Sequence, residues 1–408
     1  MMGGPKARAK GACLTQYRAV FFVFDGGTGL GHLRRLARIA HQMQGRFACL
    51  VVTGHRAAAN WFVPATCEYV HLPSWDSLVP EKARYWDRAP FLNVDLSGAV
   101  ELRQQIIQGI MQGFRPDAVF VDHLPLGAND ELAQVIGHTP CRKYLVTRGV
   151  LNSTEDLRRL ILGGAAYAAL RDHYHRIFVA ADPRVVDFSR AYNVDEIVRA
   201  KTVTTGYVAE PVPEAAIAAT RTARGLDSGD VWVVASAGGG QTGEVTVAAS
   251  IALARGYPNL AFDIVLGPRS NLPANKATPQ ETGEGRVRIY REVPDMAIRH
   301  ASADLVISSG GYNSMLEALQ GRAHIICVPL RKDPRDEQTR HAARLARFAN
   351  IRIAPTAADL PGMFAAAIAQ LPRGRLDRRT ELDMNGAAAI ERSVMDDLVS
   401  ERLRSTCT

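Results

Sequence analysis

The chain has 408 residues, too many for one ordinary core, so two domains are expected. Hydrophobic residues make up 47% and charged residues 22%, which excludes a disordered or fibrous chain. The net charge of +8 points to anionic substrates or an anionic membrane face, and no basic and aromatic cluster supports nucleic acid as a partner.

The apolar run Val20 to Asp25 predicts a first strand and His32 to Gln44 a helix. Phe47 to Thr53 and Tyr69 to Leu72 predict strands two and three. Residues 73 to 95 carry three prolines and no period, and predict a long loop. Leu96 to Gly113 predicts a helix. Ala118 to Asp122, Arg142 to Thr147, Arg176 to Val179 and Val203 to Gly206 predict further strands with helices between them. Tyr207 to Pro213 reads as a linker.

The scheme then repeats. Val231 to Ala237, Ala261 to Leu266, Val287 to Tyr290, Leu305 to Ser308 and His324 to Val328 predict strands. Glu244 to Arg255, Asp295 to Ala301, Tyr312 to Gln320 and Glu337 to Ala349 predict helices. Such alternation indicates α/β units with parallel sheets wrapped by helices. The expected division is an N-terminal Rossmann-like domain at 14–207, a second at 208–375, and a helical tail at 376–408 packing back on the first. Ligands bind outside the carboxyl ends of such strands, so the loops there should face a central cleft.

Those loops carry the chemistry. Ser308-Ser309-Gly310-Gly311-Tyr312-Asn313-Ser314 joins a buried strand to a helix. Its glycines let the backbone approach a ligand, and the helix start offers free N–H groups to an anion. Glu317 stands within the second turn, where it could reach a ribose while the loop holds a diphosphate. Gly238-Gly239-Gly240-Gln241-Thr242-Gly243 repeats the arrangement as an anion nest. The first loop, Asp25-Gly26-Gly27-Thr28-Gly29-Leu30-Gly31-His32, lacks the Lys-Ser/Thr of a P-loop and the spacing of a dinucleotide fingerprint. It places His32 at a helix start, where it accepts a proton, caps the helix or binds a phosphate. Asp122-His123 follows the fourth strand and could orient an acceptor or a base. Glu337 and Gln338 suit sugar hydroxyls. Arg34, Arg35 and Arg269 are candidate cations for a diphosphate. Trp61 and Phe62 read as core, and Trp75 as core or acceptor surface.

No apolar run reaches the 18 residues of a membrane span, and the run ending at Phe24 reads as a strand rather than a leader. Six scattered cysteines with no C-x-x-C pair argue against zinc and fit a reducing cytoplasm. A cytoplasmic enzyme, peripheral at most to the inner face of the membrane, is expected.

With these residues in view, the chain resembles GT-B glycosyltransferases, most of all family 28, which includes the lipid-II-forming N-acetylglucosaminyltransferase. The matching segments are Gly26 to His32, Gly238 to Gly243, Val293-Pro294-Asp295-Met296, Ser309 to Glu317, and Pro329 to Gln338. The resemblance implies Val293 near the base, Glu317 on the ribose and Gln338 on the donor sugar. It favours UDP as the nucleotide. Gly29-Leu30-Gly31-His32-Leu33-Arg34-Arg35 also resembles the UDP-sugar hydrolase of pseudaminic acid synthesis. The expected function is inverting, metal-independent and cofactor-free transfer from a nucleotide-diphosphosugar to a hydroxyl acceptor. His32 and Asp122 are the expected catalytic pair. Gly29, Gly31, Gly239, Gly240, Gln241, Arg269, Val293, Gly310, Gly311, Asn313, Ser314, Glu317, Glu337 and Gln338 are the expected donor site. The alternatives are a hydrolase, a 2-epimerase and a non-catalytic nucleotide-sugar binder of the same fold.

Overall fold

The computed structural model describes residues 17–24, 30–55, 60, 62–75, 94–151, 157, 161–239, 243–267, 270–272, 286–330, 337–371 and 381–406. Two parallel sheets organise them. The first contains β1 (Tyr17–Phe22), β2 (Phe47–Thr53), β3 (Glu68–His71), β4 (Ala118–Asp122), β5 (Arg142–Arg148), β6 (Arg176–Ala180) and β7 (Thr202–Thr204), in the order β3-β2-β1-β4-β5-β6-β7. The second contains β8 (Trp232–Ser236), β9 (Ala261–Val265), β10 (Val287–Tyr290), β11 (Leu305–Ser308), β12 (His324–Cys327) and β13 (Ile351–Ile353), in the order β10-β9-β8-β11-β12-β13. These are two Rossmann-like α/β domains. Each reverses its winding beside its first strand, at β1/β4 and at β8/β11, and ligands bind at such switch points.

The central strands β4, β8, β9, β11 and β12 are buried at every residue. This is the double-sided burial that a helix-covered parallel sheet imposes. The helix Gly31–Met43 buries Leu33, Leu36, Ile39, Ala40 and Met43 against the first sheet. Ile390, Val394 and Leu398 of the C-terminal helix Gly386–Thr406 join the same core at intervals of four residues. Asp397 of that helix accepts hydrogen bonds from Arg176 at 2.6 and 2.7 Å. The last helix is therefore packed on the N-terminal sheet, although the chain reaches it from the C-terminal lobe.

The two crossings between lobes run side by side. The Tyr207 amide donates to the Asp383 carbonyl at 2.7 Å, and the Gly386 amide donates to the Tyr207 carbonyl at 2.9 Å. Val208 pairs antiparallel with Asn385. Tyr207 and Val208 are fully buried, so the expected linker at 207–213 begins as ordered, packed backbone. Gly206 turns there with φ +83°, and a Cβ on it would sit 2.6 Å from the Asp383 side chain. That turn also ends β7 at Thr204 rather than at Gly206.

Other elements differ from expectation in detail. β1 begins at Tyr17, because its register is set by pairing Tyr17–Phe22 with Phe47–Val52. The helix after β12 ends at Leu345, not Ala349. The helices Glu214–Arg224 and Leu360–Ile368 and the three-residue β13 were not anticipated. Leu360–Ile368 and β13 carry little period, and the buried face of Glu214–Arg224 is built partly from Arg221 and Arg224, which do not read as apolar. Most of the expected loop at 73–95, and residues 376–380 of the tail, lie outside the described residues. No helix among the described residues is long and apolar enough to cross a membrane.

Candidate active site

At the first switch point, β4 ends in Asp122 and the helix after β1 begins with His32. Asp122 is 1% exposed. One of its oxygens lies 2.5 Å from His32 Nδ1. The other accepts from Arg35 Nε at 3.1 Å and also from Arg35 Nη2. Burial pushes the carboxyl up, but Arg35 and then His32 outweigh it and hold it at about 2. The anion accepts a hydrogen bond from the Nδ1–H of the ring, which leaves Nε2 as the basic nitrogen. Burial lowers the pKa of His32 below its ordinary 6.5, opposed by Asp122 and assisted by Arg35 and Arg148. The ring packs edge-on against Phe24 at 5.0 Å.

His123 lies beside this pair, its ring 5.6 Å from that of His32. Its φ is +61°, an uncommon conformation for a residue with a side chain, and such residues concentrate at functional sites. Its Nδ1 lies 3.2 Å from the buried Thr147 hydroxyl. Burial and then Arg148 keep this second imidazole well below its usual range.

At the second switch point, the wall is mostly backbone. Gly310 adopts φ +77°, and a Cβ there would sit 2.7 Å from Cys327 Sγ. Gly311 then starts the helix Tyr312–Leu319, whose first turn carries no side-chain cap. Its N–H groups open onto a cavity of about 760 Å³. Gly239, Val293, Gly311, Asn313, Ser314 and Gln338 all line that cavity, and so do His32, Gly31 and Glu337 from the expected set. Gln338 Oε1 also accepts from the Leu330 amide at 2.9 Å.

Glu317 stands behind the wall, 1% exposed. One oxygen lies 3.2 Å from His300 Nδ1, and the other carries Arg34 and, at 3.4 Å, Arg38. Burial raises this carboxyl, but Arg34, His300 and Arg38 bring it to about 2. His300 is itself held through Nε2, 3.2 Å from Ser236 Oγ. The lobes thus meet through side chains of both. Asn313 donates to the Gly31 carbonyl at 3.4 Å, and Arg148 pairs with Glu337. A Cβ on Gly31 would lie 3.0 Å from Asn313 Nδ2, so glycine permits the approach.

Of the expected site, Gly29, Gly240, Gln241 and Arg269 lie outside the described residues. Gly310, Glu317 and Asp122 support the cavity without lining it. Trp75 is core, 1% exposed, with Arg103 4.5 Å above its ring. Phe62 packs against the N-terminal core as expected and also lines the cavity, with Arg34 5.3 Å over its ring; Trp61 lies outside the described residues. Sequence reasoning did not single out Arg38, Arg148, His300 or Thr147. Arg148 ends a strand on the cleft side, the one signal that could have found it.

Residues 246–395 match the family model described as the glycosyltransferase family 28 C-terminal domain. No curated protein sequence matches the chain. Among solved structures, the chain is similar to Phytolacca americana UGT2 complexed with UDP-2fluoro-glucose and pterostilbene. That match has 13% identity and a TM-score of 0.57, covering 96% of this chain and 100% of that one. It is also similar to UDP-GlcNAc 2-epimerase from Neisseria meningitidis, with 12% identity, a TM-score of 0.56, and coverage of 93% and 99%. Spinosyn rhamnosyltransferase SpnG complexed with spinosyn aglycone matches at 13% identity and a TM-score of 0.54, covering 95% and 100%. At these identities the likeness is one of fold: the paired Rossmann-like domains are a GT-B architecture, and its second half carries similarity to the family 28 domain.

Proposed function

We propose that the chain transfers a sugar from a nucleotide-diphosphosugar, with UDP favoured, to a hydroxyl acceptor, inverting the anomeric centre. The N-terminal domain, 14–207, takes the acceptor, and the domain at 208–375 takes the donor. The observation that carries this reading is the pairing of two switch points across one cavity. One presents a histidine oriented by a buried carboxylate, the other a helix start and glycine turns suited to a diphosphate.

In this reading, Nε2 of His32 takes the acceptor hydroxyl proton. The oxygen attacks the anomeric carbon, and the bond to the diphosphate breaks with its electron pair on the departing oxygen. The amides of Gly311 to Ser314 stabilise that charge without calling on a metal. Asp122 fixes the ring and stabilises the imidazolium that forms. Glu317 holds the ribose, Val293 the base, and Glu337 with Gln338 the sugar. The family 28 similarity supports the donor half. The Phytolacca and Neisseria proteins, whose structures hold UDP-2fluoro-glucose and UDP-GlcNAc, support a UDP-sugar.

The test is a thermal-shift panel of UDP-, dTDP- and GDP-sugars, followed by donor consumption with and without hydroxyl acceptors. Acceptor-dependent consumption is expected. Release of free sugar without acceptor would make the protein a hydrolase. Interconversion of donor epimers would make it an epimerase, and binding without turnover a sensor.

A further inference from the structure

The carboxylate assigned to the donor ribose is engaged by the opposite lobe. Arg34 and Arg38 of the N-terminal helix share one oxygen of Glu317, and His300 faces the other. Two guanidiniums share this carboxylate, and the exposed Glu210 adds only a smaller attraction on Arg38, so the mostly buried wall suits a further anion. Arg38 shows the same imbalance. Its side chain is 10% exposed, its Nε is buried with no hydrogen-bond partner among the described residues, and its other contacts are long, at 3.3 to 3.4 Å. Burial, and then the neighbouring Arg34, push the Arg38 guanidinium down to about 10.

The two arginines are not equivalent. Arg38 is tied to the Val208 carbonyl and to Asn313, so it belongs to the hinge side. Arg34 is more exposed, lines the cavity, and rests over the face of Phe62. A ribose diol that reaches Glu317 from the cavity meets Arg34 on the same carboxylate oxygen and competes with it. The same cavity wall carries the helix start at Gly311 to Ser314, where a diphosphate would lie. A planar guanidinium suits phosphate oxygens in pairs.

We propose that Arg34 is an exchangeable partner of Glu317, yielding the carboxylate to the donor ribose and moving to the donor diphosphate. The N-terminal lobe would then supply a cation to the leaving group, and only a ligand with both ribose and diphosphate would make the exchange favourable. This rests on the donor reading above.

Calorimetry on the full chain tests it with three pairs of probes that all carry the ribose diol: uridine and UDP, 5-methyluridine and its 5′-diphosphate, guanosine and GDP. For the base that the wild-type protein binds, Arg34→Ala should tighten the nucleoside and weaken the diphosphate. The preference for diphosphate over nucleoside should shrink by roughly tenfold or more, the scale of one charge-assisted hydrogen bond. Arg34→Lys should keep part of that preference. If both ligands shift together in either direction, or neither shifts, the exchange is wrong while the donor site stands. If wild-type protein binds none of the six, the donor reading falls and takes the exchange with it.

Discussion

At the β1/β4 switch point the cleft wall is made of side chains, and at β8/β11 it is made of backbone. The first holds His32, Asp122, Arg35 and His123, four titratable or charged groups in contact or near contact. The second holds Gly310, Gly311 and the first turn of a helix, with the carboxylate of Glu317 set behind them. Both lie at the same place in the same topology. The difference follows from the work each is suited to. Moving a proton needs a group with a tunable pKa, whereas holding a diphosphate needs N–H groups in a fixed array. The contrast predicts that damage to the first wall acts on rate and damage to the second on affinity.

The largest expected effect is on the first wall. His32→Ala removes the proposed proton acceptor and should lower turnover on the order of 10²- to 10⁴-fold, the usual scale for a general base. Nucleotide affinity should barely change. Initial rates of donor consumption, set beside calorimetric affinities, separate the two. A variant that keeps its rate and loses its nucleotide would reverse the assignment of the walls.

The second wall gives a smaller effect of the opposite kind. Glu317→Ala should weaken nucleoside diphosphate binding by roughly 1.5–3 kcal/mol, the scale of a hydrogen bond to a charged group. Calorimetry with UDP and with uridine measures it. Unchanged affinity for both would remove Glu317 from the ribose.

The two walls were also unequally legible in the sequence. Gly310-Gly311 and Glu317 are within eight residues of one another, and a glycine turn between a buried strand and a helix declares its geometry locally. The strand before it, Leu305–Ser308, could be placed to the residue because double-sided burial writes an apolar run. His32 and Asp122 are 90 residues apart. Each could be suspected from its place at a strand end, but their contact depends on β1 pairing with β4. The arginines on Glu317 were harder still. Arg38 is 279 residues from Glu317, and nothing in a helix sequence says which arginine faces another lobe. Local backbone demands are readable in composition, and partnerships set by lobe packing are not.

The smallest expected effect within the neutral range is that of pH, and it bears directly on the first wall. Burial depresses His32 below 6.5, and Arg35 and Arg148 add to the depression. Asp122 pulls the other way without cancelling it. The ring must be neutral to accept a proton, so its active form already predominates at pH 6.5 and is lost as pH falls through the lower, folded value. In the same acid window the unfolded chain binds a proton that the folded ring refuses, so stability also declines there as pH falls. Asp122, held at about 2, stays ionised throughout and contributes no limb of its own. The rate of donor consumption should therefore have its half-point below pH 6.5, level off as pH rises to 8, and fall on the acid side. A limb centred at pH 7 or above would mean that the carboxylate outweighs burial. The wall would then present an imidazolium at neutral pH, a group that can donate a proton but cannot take one from an acceptor hydroxyl.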